Sequence, residues 1–146
     1  MDFNAHLGAV TRTVNQLERD GKPARGITLE RTYATSVADA GEGRARLTLC
    51  HIALVDEHYW PTYGPGAGGV GWDLALAGLE SFLVAPTAAR FDETLLATTP
   101  EGRRFVAGLS EDWGRAAMAG GEDPAWARAA AARTTAFYMG EEEPGA

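Results

Sequence analysis

His58–Leu79 reads HYWPTYGPGAGGVGWDLALAGL, and the parsing of the whole chain turns on it. It carries Trp60 and Trp72, two of the four tryptophans. Upstream of it, apolar and polar residues alternate as in half-buried strands. Downstream, apolar residues recur at helical spacing. The stretch is therefore a junction between a β part and a helical part. His58–Gly69 is expected as a loop rich in aromatics and glycine. From near Gly71 to about Ala85, Trp72, Leu76, Leu79 and Leu83 form a helical stripe, and Pro86 stops it.

Moving upstream, residues 44–55, RARLTLCHIALV, read as a strand with Leu47, Leu49, Ala53 and Val55 on one face. Residues 26–37, GITLERTYATSV, read as another, with Ile27, Leu29, Tyr33 and Val37 sharing a face with Arg31 and Thr35. The short loop Ala38–Gly43 makes the two an antiparallel hairpin. Placing Tyr33 opposite Leu49 would set Arg31 opposite His51, and a one-residue slip would turn both to the other face. A two-stranded hairpin is marginal by itself and must pack on helices or on another copy. Before it, Asp20-Gly21-Lys22-Pro23 is a turn signal. Phe3, Leu7, Val10, Val14 and Leu17 make a helical stripe, though Gly8 leaves open two pieces or a strand-like arm.

Downstream, a short helix after Thr87 would face Phe91, Leu95 and Leu96 inward. Thr99-Pro100-Glu101 and Asp123-Pro124 each combine a capping residue with proline at the first helical position. The helices they start carry stripes of Phe105, Leu109, Trp113 and Ala116, and of Trp126, Ala130, Arg133 and Phe137. The reading is an α+β protein with one domain over residues 1–140 and a disordered acidic tail over 141–146.

A net charge of −7 argues against nucleic acid and against an anionic membrane surface as partners. The twelve arginines are scattered and make no phosphate-binding cluster. Cys50 is the single cysteine, so no internal disulfide forms and a cytoplasmic location is expected. The opening MDFNAHLGAV lacks the charge and apolar run of a signal peptide, and Leu74–Ala85 is broken as a membrane span by Gly78, Glu80 and Ser81.

Motifs that would carry chemistry are sparse. Gly64, Gly66 and Gly69, and again Gly66, Gly68 and Gly71, match G-x-G-x-x-G before a helix. No strand leads directly into them, Pro65 removes a donor, and close backbone approach explains the glycines better. His6, Cys50, His51 and His58 lack metal-ligand spacing, so neither a metal nor a cofactor is expected. His51 with Arg31 and Asp56 could form a polar cluster, structural sooner than catalytic. Glu80, Asp92 and Glu93 read as solvated helix faces. Ser81 and Ser110 lack a nucleophile elbow.

Four segments carry a resemblance: MDFNAHLGAVTRTV, RTYATSVAD, GRARLTLCHIA, and YGPGAGGVGWDLALAGL with its continuations EGRRFVAGLSEDWGRAA and ARTTAFYMGE. Together they resemble the SRPBCC superfamily, the helix-grip fold of Bet v 1 and START-like proteins, in its Activator of Hsp90 ATPase homolog 1-like branch. The resemblance covers most of the chain and includes no catalytic motif. It implies that RTYATSVAD is the first strand, GRARLTLCHIA the last, and the helix beginning near Gly71 the long C-terminal helix that walls a ligand cavity. The family's middle strands and support helices are absent, as if excised, which leaves an antiparallel hairpin remnant packed on the long helix. No chaperone-binding residue can be matched.

The resemblance implies a non-enzymatic module that binds a small hydrophobic ligand or a protein. The pocket would be lined by Arg31, Tyr33, His51, Trp60, Tyr63, Trp72, Leu76 and Leu79. The alternatives are a self-associating remnant without ligand, a homodimer through hairpin edges or helices, and a cyclase- or hydrolase-type enzyme, which requires Arg31, His51 and Tyr63 to converge.

Overall fold

Two residues, Asp20 and Gly21, set the first surprise of the fold. Both have positive φ, 53° and 77°, and they join Arg19 to Lys22 across a two-residue turn. Positive φ at both central positions is the geometry of a type I′ hairpin turn, whose twist suits two flanking strands. The computed structural model describes residues 3–34, 43–90 and 92–141, and in it the chain before this turn is a strand. After the short helix α1 (Phe3–Ala9), β1 (Thr11–Arg19) pairs with β2 (Lys22–Ala34), which pairs with β3 (Arg44–Leu54). The sheet is three-stranded, antiparallel and ordered β1-β2-β3. The single helical stripe from Phe3 to Leu17 is thereby corrected, and the alternative that Gly8 left open, two pieces with a strand-like part, is the one found. Val14 turns into the core, whereas Leu17 stands exposed on the opposite face of the sheet.

The expected hairpin is present as β2 and β3, but its register differs by four residues. Tyr33 lies opposite Ala45, Arg31 opposite Leu47, Leu29 opposite Leu49 and Ile27 opposite His51. An even shift keeps every side chain on its expected face, so Arg31 and His51 still point inward, two pairs apart. Of the loop Ala38–Gly43 only Gly43 is among the described residues; Phe91 and residues 142–146 of the tail also fall outside them.

The helices are α2 (Tyr59–Tyr63), α3 (Gly66–Val84), α4 (Thr94–Thr98), α5 (Pro100–Ala119) and α6 (Pro124–Tyr138). The segment read as a loop up to Gly69 is thus mostly helical, and α3 starts five residues before the expected Gly71. Thr99 caps α5, its hydroxyl accepting from Gly102 N at 3.1 Å, and Asp123 caps α6 by accepting from Trp126 N at 2.9 Å. The glycines opening α3 act by being small. A Cβ at Gly66 would stand 2.5 Å from Thr134 Oγ1, and one at Gly69 would overlap the Trp113 indole. They let α3 lie directly on α6 and α5, and the phosphate-loop pattern has this packing as its physical reason.

The core gathers Val14, Leu29, Val70, Phe105, Val106, Leu109 and Trp113 between the inner face of the sheet and the helices. α5 covers β1 and α3 covers β2. Among the described residues β3 is only thinly covered: Trp72 of α3 reaches His51 and Leu49 packs against the margin of the core, while Leu47 is exposed.

Candidate functional site

Two arrangements stand out, one of buried polar groups and one of exposed apolar side chains. The first is built around Asp73, which α3 carries into the interior with no solvent exposure. A bare carboxylate there would be costly, so donors must converge on it. Arg12 of β1 gives it Nη2 at 2.7 Å to Oδ1 and Nε at 3.1 Å to Oδ2. Trp113 Nε1 donates to Oδ2 at 2.7 Å, and His6 Nε2 lies 3.0 Å from Oδ1. Arg12 also reaches Asp112 on α5 at 2.9 Å. The Asp73 oxygens are filled by side chains from α1, β1 and α5, and the cluster ties these elements to α3. Beside it Leu7, Val10, Arg12, Asp112 and Arg115 line a shallow depression of about 340 Å³. Donors from three other elements occupy both Asp73 oxygens, so the cluster reads as a structural clamp.

A second ion pair continues from it. Arg31, on the inner face of β2, contacts Glu80 of α3 through Nη2, and its guanidinium lies 5.0 Å over the Tyr33 ring. The expectation that Glu80 is a solvated position is corrected by this pairing and by His6 Nδ1 at 4.0 Å. Arg31 Nε and Nη1 are buried without a hydrogen-bond partner. The Tyr33 hydroxyl donates to Leu76 O at 3.0 Å, so strand and helix are pinned where the α3 stripe passes β2. Burial raises the Tyr33 hydroxyl above its ordinary value of 10.0, outweighing the lowering by Arg31.

The eight residues expected to line one pocket separate into two groups. Arg31, Tyr33, His51, Trp72, Leu76 and Leu79 are brought to the sheet–α3 side. There Trp72 Nε1 donates to His51 Nδ1 at 3.3 Å with the rings edge-on. Trp60 and Tyr63 belong elsewhere, on α2 against α6. Trp60 packs at 6.1 Å from Trp126 and under Arg25, and Tyr63 is 5.1 Å from Phe137. The cluster envisaged for His51, Arg31 and Asp56 does not assemble, since Asp56 caps α2 by accepting from the N–H groups of His58, Tyr59 and Trp60. A further groove of about 370 Å³ runs between α5 and α6, and none of the eight residues lines it.

The second arrangement is apolar. Trp72, Leu79 and Leu83 share the α3 stripe that meets His51, and each is partly exposed. Phe82 and Val84, at the end of the same helix, are 60% and 79% exposed. Leu47 on the thinly covered inner face of β3 is also exposed. On the outer face Leu17, Ile52 and Leu54 lie over Ala24 and Gly26, with Ile52 and Leu54 nearly half exposed. Exposed apolar side chains gathered on one face are where a partner or ligand would be sought.

Among the described residues no three His, Cys, Asp or Glu side chains are grouped to hold a metal ion, and no helix is long and apolar enough to cross a membrane. Sequence reading missed Arg12, Asp73, Trp113 and Asp112 as a unit. The available signal was Asp73 itself, an acid one residue after Trp72 in the apolar first half of the helix. No family model matches the chain, and no curated protein or solved structure matches it.

Proposed function

We propose that the chain is a non-enzymatic binding module, a shortened relative of the helix-grip SRPBCC domains of the Activator of Hsp90 ATPase homolog 1-like branch. It takes a small hydrophobic ligand, or an apolar protein segment, on the face shared by β3 and the C-terminal half of α3. The observation that carries this reading is the thinly covered inner face of β3, where Leu47 is exposed, next to the partly exposed α3 stripe of Trp72, Leu79 and Leu83 that meets His51. Arg31 lies opposite Leu47 and pairs with Glu80, and its positive charge would favour a ligand with an acceptor end. An enzymatic role finds less support. Arg31, His51 and Tyr63 turn to Glu80, Trp72 and Phe137 respectively, with no common point for a reacting atom.

Fluorescence titration with cis-parinaric acid tests the reading. Saturable binding is expected, weakened about tenfold by Leu79→Gln and again by Arg31→Met, an order of magnitude being the usual worth of one lost anchor. A probe that fails to saturate, or that binds both variants as well as the parent, overturns the ligand form of the proposal.

A further inference from the structure

We infer that two copies of this chain pair through β3, antiparallel about a two-fold axis at Cys50, and that the second copy supplies the absent wall of the apolar face. The inference rests on reading that face as the binding surface, and it adds the partner.

The backbone fixes which residues can pair. Val55 N donates to Pro23 O at 2.9 Å. Hydrogen-bonded and non-bonded pairs alternate along an antiparallel ladder. It follows from the register that Ala45, Leu47, Leu49, His51 and Ala53 turn their N–H and C=O groups toward β2. Arg44, Arg46, Thr48, Cys50, Ile52 and Leu54 turn theirs toward the other edge, which is open among the described residues. This edge runs for eleven residues without a proline. Natural edges that stay single are short, interrupted or charged throughout; here the charge is confined to the ends. Arg44 and Arg46 begin the strand, and Asp56 and Glu57 follow its end. Antiparallel pairing lays each basic end on the other copy's acidic end, and a parallel or shifted neighbour would not.

The register about Cys50 puts Arg44 opposite the partner's Asp56, Arg46 opposite the partner's Leu54, and Thr48 opposite the partner's Ile52. Charge is matched at both ends, and the exposed Ile52 and Leu54 are covered on the outer face. An axis perpendicular to the sheet keeps both α3 helices on the same side of six continuous strands. Each α3 lies over its own β2. The two β2 strands would stand three strand spacings apart, about 14 Å. Helices in direct contact pack about 8–10 Å apart. The difference is a cleft roughly 5 Å wide, floored by Leu47, Leu49 and His51 of both copies and flanked by the two α3 stripes. One extended acyl chain fits such a width.

The test uses the full chain and reads mass, crosslinking and probe binding. Light scattering should give twice the 15.5 kDa chain mass. Mild oxidation should join the copies at Cys50, because the paired Cα atoms would be about 5.5 Å apart, a separation that a disulfide spans. Thr48→Pro removes an N–H that faces the open edge and leaves the β2 ladder untouched. Ile52→Lys alters only an exposed side chain. Either should halve the mass with the circular-dichroism spectrum of the folded chain retained, and weaken cis-parinaric acid binding about tenfold. A monomer at every concentration up to the solubility limit overturns the pairing, as does a dimer that survives both substitutions. A dimer that the substitutions dissolve but oxidation does not crosslink overturns the register. Equal probe affinity in dimer and monomer overturns the shared wall and leaves the binding face standing. A dimer that binds no probe overturns the binding face and leaves the pairing standing.

Discussion

Arg12 and Asp73 are 61 residues apart in the chain, and they meet inside it through two hydrogen bonds of 2.7 and 3.1 Å. The pair joins the strand that nobody would place from its apolar spacing to the helix that organises the rest. Removing one partner of a buried pair strands the other charge, which costs about 3–5 kcal/mol. Arg12→Met should therefore shift the urea midpoint severely. Trp113→Phe removes one donor and should cost about 1–3 kcal/mol. The double variant Arg12→Met with Asp73→Leu should recover much of the loss, because it leaves no unpaired charge. Urea melts of the three variants check the order; equal losses in all three would sink the clamp.

Two glycines in α3 should respond with opposite sign. Gly69 lies against the Trp113 indole with no room for a methyl group. Gly69→Ala should destabilise by about 1–3 kcal/mol through overpacking. A Cβ at Gly78 meets nothing within 4 Å. Gly78→Ala should stabilise by about 0.5–1 kcal/mol, since alanine loses less backbone entropy in a helix. Thermal melts of the pair separate packing from propensity within one element.

How far the fold could be read follows from which signals are local. The α+β division, the caps at Thr99 and Asp123 and the β2–β3 hairpin depend on neighbours in sequence, and they were legible. β1 was legible only as an open alternative, because Val10, Val14 and Leu17 imitate helical spacing although Val14 and Leu17 stand on opposite faces of the strand. The stronger cue was Asp20-Gly21, whose positive φ values demand flanking strands. The register was misplaced by four residues because its determinants are not local. Tyr33 is fixed by the carbonyl of Leu76, on another element. The site was legible in part. The inner-face residues followed from alternation, whereas Trp60 and Tyr63 went to α6, which spacing cannot foretell. The partnering of Glu80 with Arg31 likewise needs the strand laid across the helix.

Two tyrosines hold α3 by its backbone, and their titration should loosen it. Tyr33 donates to Leu76 O and Tyr138 to Ala67 O, at 3.0 and 2.8 Å. Burial raises both hydroxyls above 10.0, against lowering by Arg31 for Tyr33 and by the Gly71 backbone for Tyr138. A raised folded value means that the folded chain keeps its proton while the unfolded chain releases it. Stability is thus fully present below pH about 10 and falls as pH rises above it. Melts taken through this range should show a steeper alkaline loss for the parent than for Tyr33→Phe with Tyr138→Phe. Parallel curves would show that neither hydroxyl is coupled to folding.

Asp56 gives the matching prediction on the acid side. Its slight desolvation pushes the carboxyl upward, but the N–H groups of His58, Tyr59 and Trp60 outweigh this and hold it below its ordinary value of 3.8. These donors are the unsatisfied first amides of α2, which is too short to stand without them. A depressed folded value contributes stability above the unfolded carboxylate range, and that contribution is lost as pH falls through the folded value. Asp56→Ala should therefore lower stability at neutral pH and flatten its decline below pH about 4. Trp60 lies on α2 against Trp126, so tryptophan fluorescence reports the local change. An acid transition of unchanged slope in the variant would show that α2 is held by its packing on α6 and not by its cap.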